Sequence, residues 1–243
     1  MSTLTAALLE AWEQAGDQRP GARAQTLLAV GEPQTPRDVL GRLSAGARDR
    51  RLLQLRERLF GQRMSSVVDC PLCGEALEFE LTVGELLLTS PDPDPQEEHD
   101  AWDGDLHLRF RLPDSAQLEQ LKEDGPHEAL KALRQACVLR LERQGTPIPV
   151  QDSPPEVWAL LDREMAALDP QAQLELDLSC PACGQAWAAP FDVGCYLWAE
   201  VRAWGEGVLM EVHELALAYG WAEPEILTLS PSRRQRYLEL LRG

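Results

Sequence analysis

Residues 70–74 of the chain read Cys-Pro-Leu-Cys-Gly, and residues 180–184 read Cys-Pro-Ala-Cys-Gly. The same offset of 110 positions superimposes the Val-Gly pair at residues 83–84 on the Val-Gly pair at residues 193–194. Residues 77–82 alternate apolar and polar side chains, which is the period of a strand with one buried face. The repeat therefore predicts a unit of strand, cysteine turn, strand and helix that occurs twice.

The four cysteines of this repeat are candidate metal ligands, namely Cys70, Cys73, Cys180 and Cys183. Two residues between cysteines allow one tight turn to aim both thiolates at a point about 2.3 Å away. A glycine after the second cysteine relieves the turn, because it has no Cβ to crowd the backbone. Two such turns close a tetrahedron and leave no position for substrate, so the spacing predicts one structural Zn²⁺.

Three other chemistries use the same cysteine spacing. A redox pair normally opens a helix, whereas a strand-like segment follows the first pair here. Two structural disulfides are typical of exported proteins, and an iron site is a further alternative. Cys137 and Cys195 lie outside the repeat and are interpreted as packing residues.

Charge and composition exclude several classes of function. The chain has 243 residues and a formal net charge of −17, which disfavours a non-specific grip on nucleic acid. It contains no long apolar run and no N-terminal secretion signal, so we expect a soluble cytoplasmic protein. We find no phosphate loop, nucleophile elbow or metal-ligand spacing among the four histidines, and we therefore expect neither an enzyme nor a small-molecule substrate. Arginines concentrate in residues 37–63 and acids in residues 91–105, a patterning that suits protein docking.

The hydrophobic patterns predict an α+β fold that is mainly α-helical. Helices are expected to surround a small, split, zinc-ribbon-like β module built from the two knuckles, and a helical hairpin is expected at the C-terminus. The predicted regions are an N-terminal helical region (1–64), a first knuckle hairpin (65–89), an acidic mobile loop (90–105), a strand plus helical insertion (106–172), a second knuckle hairpin (173–193) and a C-terminal helical region (194–243).

Within these regions the patterns give finer expectations. The first 60 residues predict three or four helices, and the alternation of residues 106–112 predicts a strand. Four residues spaced as on one helical face predict a helix that continues to residue 141, namely Leu130, Leu133, Cys137 and Leu141. A further helix is expected to open at residues 153–156, Ser-Pro-Pro-Glu, with the serine as its cap.

The end of the chain resembles a known family. The residues that carry the likeness are Phe191–Gly194, Leu197–Val201, Glu211–Ala216, Tyr219–Trp221, Ile226–Leu227, Leu229–Pro231 and Arg233–Leu238. Shorter segments before each knuckle, Arg56–Gly61 and Asp169–Ala172, agree with it. Together they resemble the baseplate hub assembly proteins of T-even phages and of phage-tail-like contractile injection systems, in a branch that carries zinc knuckles.

This resemblance implies a non-enzymatic role in building or completing a baseplate, with incorporation into the particle as one outcome. The implied partners are other baseplate, hub, tube or spike proteins, with no nucleic acid and no membrane. Because aromatic residues beside arginine are typical of interface hot spots, we predict a partner-binding surface at Tyr219, Trp221, Arg233 and Arg234. The alternative is a zinc-ribbon regulatory or nucleic-acid-associated protein.

Overall fold

The computed structural model of the protein describes residues 3–120 and 125–242. Residues 1–2, 121–124 and 243, which fall in the predicted N-terminal, insertion and C-terminal regions, lie outside the described residues. The fold is mixed α+β, with long helices and three small antiparallel sheets in the described part of the chain. No helix in this part is both long enough and apolar enough to cross a membrane.

Four helices form the N-terminal region, in agreement with the sequence. They are α1 (Thr3–Ala15), α2 (Pro20–Gly31), α3 (Arg37–Gly41) and α4 (Ala45–Phe60). Ser44 caps α4, because its hydroxyl accepts the Ala47 N–H at 3.1 Å. Leucines of α1, α2 and α4 are buried together with the first turns of a later long helix, and this is the main core of the molecule.

The repeat seen in the sequence is a repeat of structure. In the first hairpin β1 (Arg63–Asp69) pairs with β2 (Ala76–Thr82), and the short helix α5 (Val83–Leu86) follows. The second hairpin begins its regular pairing at residue 175, where β7 (Glu175–Ser179) pairs with β8 (Ala186–Pro190). The 27-residue helix α9 (Val193–Tyr219) follows directly. Each unit is thus strand, cysteine turn, strand and helix, as predicted.

The segment between the two hairpins forms its own sheet with a second hydrophobic core. Four antiparallel strands lie in the order β3 (His99–Asp103), β4 (Leu106–Phe110), β5 (Val138–Arg143) and β6 (Thr146–Pro147). Three helices belong to the same segment, α6 (Ser115–Gln120), α7 (Pro126–Cys137) and α8 (Pro155–Leu168). Apolar residues of α8 pack against the buried face of the sheet. Helix α8 begins where the sequence predicts, but Ser153 donates to the Val150 carbonyl instead of capping it.

Two predictions for this segment are wrong. The acidic region 90–105 was expected to be a loop throughout, yet residues 99–103 form strand β3. Ala101 is buried in the second core, and Arg109 of β4 donates two hydrogen bonds to Asp100, so pairing offsets the repulsion among the acids. The helix expected to reach residue 141 ends at Cys137, because Leu141 lies opposite Leu108 in the sheet.

The C-terminal region is a helical hairpin, as expected. Helices α10 (Glu223–Thr228) and α11 (Pro231–Arg242) pack back on the second half of α9 around a third, smaller core. The first half of α9 belongs to the main core, where Gly205 lies against Trp12 of α1. A Cβ at Gly205 would lie 2.5 Å from a Trp12 ring carbon, so this helix crossing requires glycine.

Candidate metal centre

The two cysteine turns have the same backbone geometry. In the first, the Cys70 N–H donates to the Glu75 carbonyl at 2.8 Å and the Gly74 N–H donates to the Cys70 carbonyl at 2.9 Å. The second turn repeats both bonds at the same lengths, from Cys180 and Gly184. The two glycines have φ values of +74° and +75°, a region that favours glycine. The residues of each turn therefore make the hydrogen bonds that shape it, and none of these bonds reaches a distant part of the chain.

The two turns bring all four sulfur atoms to one place. Each sulfur lies within 4.8 Å of the other three, and among the described residues this is the group of His, Cys, Asp or Glu placed to hold a metal ion. The short distances run across the turns, 3.7 Å from Cys70 Sγ to Cys183 Sγ and 3.6 Å from Cys73 Sγ to Cys180 Sγ.

These distances distinguish between the possible chemistries. A disulfide needs about 2.05 Å between sulfurs, and all four thiols are free. A tetrahedron with zinc–sulfur bonds of about 2.3 Å has edges of about 3.8 Å, which matches the two cross-turn distances. Neither cysteine pair opens a helix, because each sits in a turn between two strands. The donor set fits a tetrahedral thiolate-binding ion.

The sulfurs also perturb the ionisation of one another. Burial opposes ionisation of Cys70, but N–H groups of Cys73 and Leu72 donate to its sulfur and lower its pKa to about 7. At Cys73 the Glu75 N–H favours the thiolate, yet the Cys183 sulfur and the partial desolvation of this exposed thiol raise its pKa to about 12. Four adjacent thiols therefore resist losing their protons together, because the thiolates would repel one another. A divalent cation among the sulfurs would offset this repulsion.

The first cysteine of each turn faces inward and the second faces solvent. Cys70 and Cys180 are each 3% exposed, whereas Cys73 and Cys183 are exposed. An ion at this position would be bound at the tip of the two hairpins and not in the core of the molecule. Such a closed tip suits a structural ion better than a substrate site.

Two buried polar side chains just before the second hairpin, Asp169 and Gln171, attach it to the chain that follows the first hairpin and to the start of α4. The Gln171 side chain is fully buried, accepts the Leu88 N–H at 2.8 Å and donates to the Leu86 carbonyl at 3.0 Å. Asp169 accepts the Gly46 N–H at 2.8 Å, at the start of α4. Burial raises the pKa of Asp169 despite this bond. The sequence pattern did not reveal these roles, because each depends on a partner about 80 or more residues away in the chain.

The two cysteines outside the repeat differ in their surroundings. Cys137 is buried at the end of α7, as predicted for a packing residue, and burial raises its pKa to about 12. Cys195 was also interpreted as a packing residue, but it is exposed on the first turn of α9. The core-facing positions of that turn are taken by Val193 and Leu197, so Cys195 points away from them.

The four predicted partner-binding residues differ in their surroundings. Tyr219 and Trp221 stack with ring centroids 4.7 Å apart, and Tyr237 of α11 meets Trp221 edge to face. Arg233 is exposed. Arg234 differs from the expectation, because it is only 2% exposed and donates to Glu211 at 2.7 Å. Arg234 therefore holds α11 on α9 and is not available at the surface.

One polar cluster escaped the sequence reasoning altogether. His107 on β4 contacts Asp100 on β3 through Nε2 at 2.7 Å and lies 3.5 Å from Glu142 on β5 through Nδ1. Trp102, exposed at the hairpin end, stacks on the His107 ring with centroids 4.9 Å apart. The strand register creates this cluster, and the linear spacing of the histidines contains no signal for it.

Comparison with known proteins gives one family. A family model described as "T4 bacteriophage base plate protein" matches residues 6–189, which include both cysteine turns and the whole segment between them. The segments at residues 56–61 and 169–172 lie inside the matched region, whereas the stretch 191–238 lies beyond it. No curated protein and no solved structure matches the chain.

Proposed function

This chain belongs to the family of T4 bacteriophage base plate proteins, and from that premise we propose that it is a non-enzymatic assembly or structural protein of a contractile, phage-tail-like particle. It acts in baseplate or hub assembly through contacts with other proteins. The observation that carries the proposal is the family match over most of the chain. We place the protein in the cytoplasm during assembly and in the particle afterwards.

One structural Zn²⁺ is part of this proposal. Cys70, Cys73, Cys180 and Cys183 would hold it, and the two hairpins would then form one split zinc-ribbon-like module, characteristic of a zinc-knuckle branch of the family. When bound, the ion supplies a cross-link between two parts of the chain that are far apart in sequence. The chain itself supplies the turn glycines, which preset each pair of sulfurs, and Gln171, which aligns the second hairpin with the first.

Protein partners are favoured over nucleic acid by the sign of the charge beside the knuckles. Asp69, Glu78 and Glu80 are exposed on the first hairpin, and Glu175 and Asp177 are exposed on the second. These carboxylates would repel a phosphate backbone. The zinc-ribbon regulator or nucleic-acid-associated protein is therefore the second candidate, supported only by the knuckle spacing.

We propose a protein-binding surface at the C-terminal hairpin. Tyr219 and Trp221 form a stacked pair there, and exposed Arg233 lies at the start of α11. Arg234 is excluded from this surface by its burial. Arg233→Glu should weaken association with the partner and leave the fold intact, because the side chain is exposed.

Affinity purification from the cells that produce the particle tests the proposed function. The tagged full-length chain is recovered under native conditions, and the proteins that accompany it are identified by mass spectrometry. We expect tube, spike, hub or wedge proteins. Recovery of polymerase subunits or ribonucleoprotein without tail components would overturn the baseplate role and favour the regulatory alternative.

A further inference from the structure

The first hairpin and its cysteine turn carry exposed apolar side chains that no part of the described chain covers. Leu72, between the first two cysteines, is 67% exposed, and Val67 on β1 is 62% exposed. Both lie on the first hairpin, whose base is fixed because Met64 and Leu81 are buried in the main core. We call residues 65–82 and 173–190 the knuckle arm. The arm therefore presents one apolar side chain at its tip and another along β1, on a firmly held support.

The knuckle arm also differs in charge from the rest of the molecule. It carries six exposed carboxylates, at Asp69, Glu75, Glu78, Glu80, Glu175 and Asp177. The chain has no Lys or Arg between residues 64 and 108 or between residues 164 and 201. Within the described residues, no cationic side chain forms an ion pair with any of the six. The arm is thus a region of uncompensated negative charge.

Some carboxylates of the helical body, in contrast, are paired with arginine. Glu200 on α9 receives two hydrogen bonds from Arg56, and Glu211 receives one from Arg234. These carboxylates of the body have arginine partners within the fold, whereas the six carboxylates of the arm have no such partner among the described residues. Charge left uncompensated beside exposed apolar side chains is complementary to a cationic protein surface.

We propose that the knuckle arm docks on another protein of the particle, at a basic surface with an apolar pocket that receives Leu72. The identity of that protein rests on the proposed assembly role, but the chemistry of its surface follows from the arm alone. Four thiolates around one Zn²⁺ would retain a net charge of −2, which has the same sign as the carboxylates. Nucleic acid and anionic lipid are repelled by this surface.

Site-specific cross-linking tests the position of the contact. A photoreactive p-benzoylphenylalanine replaces Leu72 in the full-length chain, expressed in the producing cells, and the cross-linked peptides are identified by mass spectrometry. The matched control places the same residue at Val39, which is 44% exposed on α3. We expect position 72 to cross-link to a particle protein within a segment rich in Lys and Arg, and position 39 to give no such adduct.

Other outcomes overturn specific steps. Suppose that particle proteins co-purify, but position 72 forms no adduct, or cross-links to a second copy of the chain, or cross-links to an acidic segment. In any of these three cases the docking inference is wrong and the assembly role stands. If no particle proteins co-purify at all, the assembly role fails instead. Adducts with nucleic acid or lipid would contradict the charge argument directly.

Affinity measurements test the chemistry of the contact, and they use the purified, unmodified partner that cross-linking identifies. Glu78→Gln combined with Glu80→Gln should weaken binding about tenfold at physiological salt, because two exposed charge contacts are lost. Leu72→Ser should also weaken it about tenfold, since the side chain would leave its pocket empty. Glu13→Gln removes an exposed carboxylate on α1, outside both proposed surfaces, and should leave the affinity unchanged. Equal affinities for all four proteins, with unchanged zinc content and thermal stability, would refute the inference.

Discussion

Replacing Cys180 with serine removes one of the four sulfurs at the tip of the hairpins and should release the proposed ion. Cys180 lies 3.6 Å from Cys73 across the centre, and residues 74–179 form the loop that an ion between them would close. In the chain-entropy model, a cross-link that closes a loop of about 100 residues stabilises a protein by about 4.7 kcal/mol. For a chain of this size that corresponds to a fall in Tm of roughly 10–20 °C.

The matched control for this substitution is Cys195→Ser. It makes the same sulfur-to-oxygen exchange at an exposed cysteine outside the cluster. The backbone N–H of Cys195 donates to Asp192 in either protein, so the cap of α9 is preserved. We therefore expect Cys195→Ser to keep both the metal content and the Tm of the wild-type protein.

Two measurements on each protein decide the outcome. Elemental analysis by inductively coupled plasma mass spectrometry should give one zinc per chain for wild type and Cys195→Ser, and much less for Cys180→Ser. Scanning calorimetry with and without a chelator should show the large Tm difference only in proteins that hold the ion. A zinc-free wild-type protein, or a Cys180→Ser protein with wild-type Tm, would refute the reasoning.

Three further substitutions test other parts of the structure. Gly46→Ala would place a Cβ 2.0 Å from a buried carboxylate oxygen and should cost about 3 kcal/mol of unfolding free energy in urea titrations, whereas Gly207→Ala, with open space around it, should not destabilise. Arg234→Met breaks a buried ion pair and should cost about 3 kcal/mol and speed amide exchange in α11, while exposed Arg233→Met should change neither. Hydrogen bonds from Arg109, and to a smaller extent from His107, hold the pKa of Asp100 below its usual value. The stabilising contribution of Asp100 is therefore present above the ordinary carboxyl pKa and is lost as acid protonates this side chain. Asp100→Asn should therefore be less stable than wild type at neutral pH, and urea titrations should show the gap closing below about pH 4.

The candidate metal centre could be predicted from the sequence because its geometry is local. Two residues between cysteines and a following glycine shape each turn without help from the rest of the chain, and the internal repeat indicated that the turns belong together. The N-terminal helices and the C-terminal hairpin were also predictable, since their apolar faces follow the helical period. The match over residues 6–189 confirms the resemblance at the level of the phage baseplate family.

Apart from β4, which the alternation of residues 106–112 predicts, the central sheet and the buried ion pairs could not be predicted in the same way. Strand β3 consists largely of polar residues, and it forms because Arg109 of the next strand compensates Asp100. Leu141 has a spacing compatible with a helix, and only its pairing partner on β4 decides for a strand. The sequence pattern around Arg234 predicts a surface residue, but in the folded hairpin this arginine is buried and bonded to Glu211. In each case the deciding contact joins two residues that no helical or strand period relates, so the hydrophobic pattern of the sequence does not reveal it.

The two cross-turn distances of 3.7 Å and 3.6 Å have a consequence for the history of the chain. Their near equality, together with the identical hydrogen bonds of the two turns, is the pattern that an approximate two-fold axis between the four sulfurs would produce. A centre with this pseudo-symmetry can be built by duplicating a single ancestral unit, whose two copies meet as the halves of a symmetric dimer would. The sheet and helices between the copies are then an insertion, and such an insertion can lengthen or shrink without displacing any of the four sulfurs.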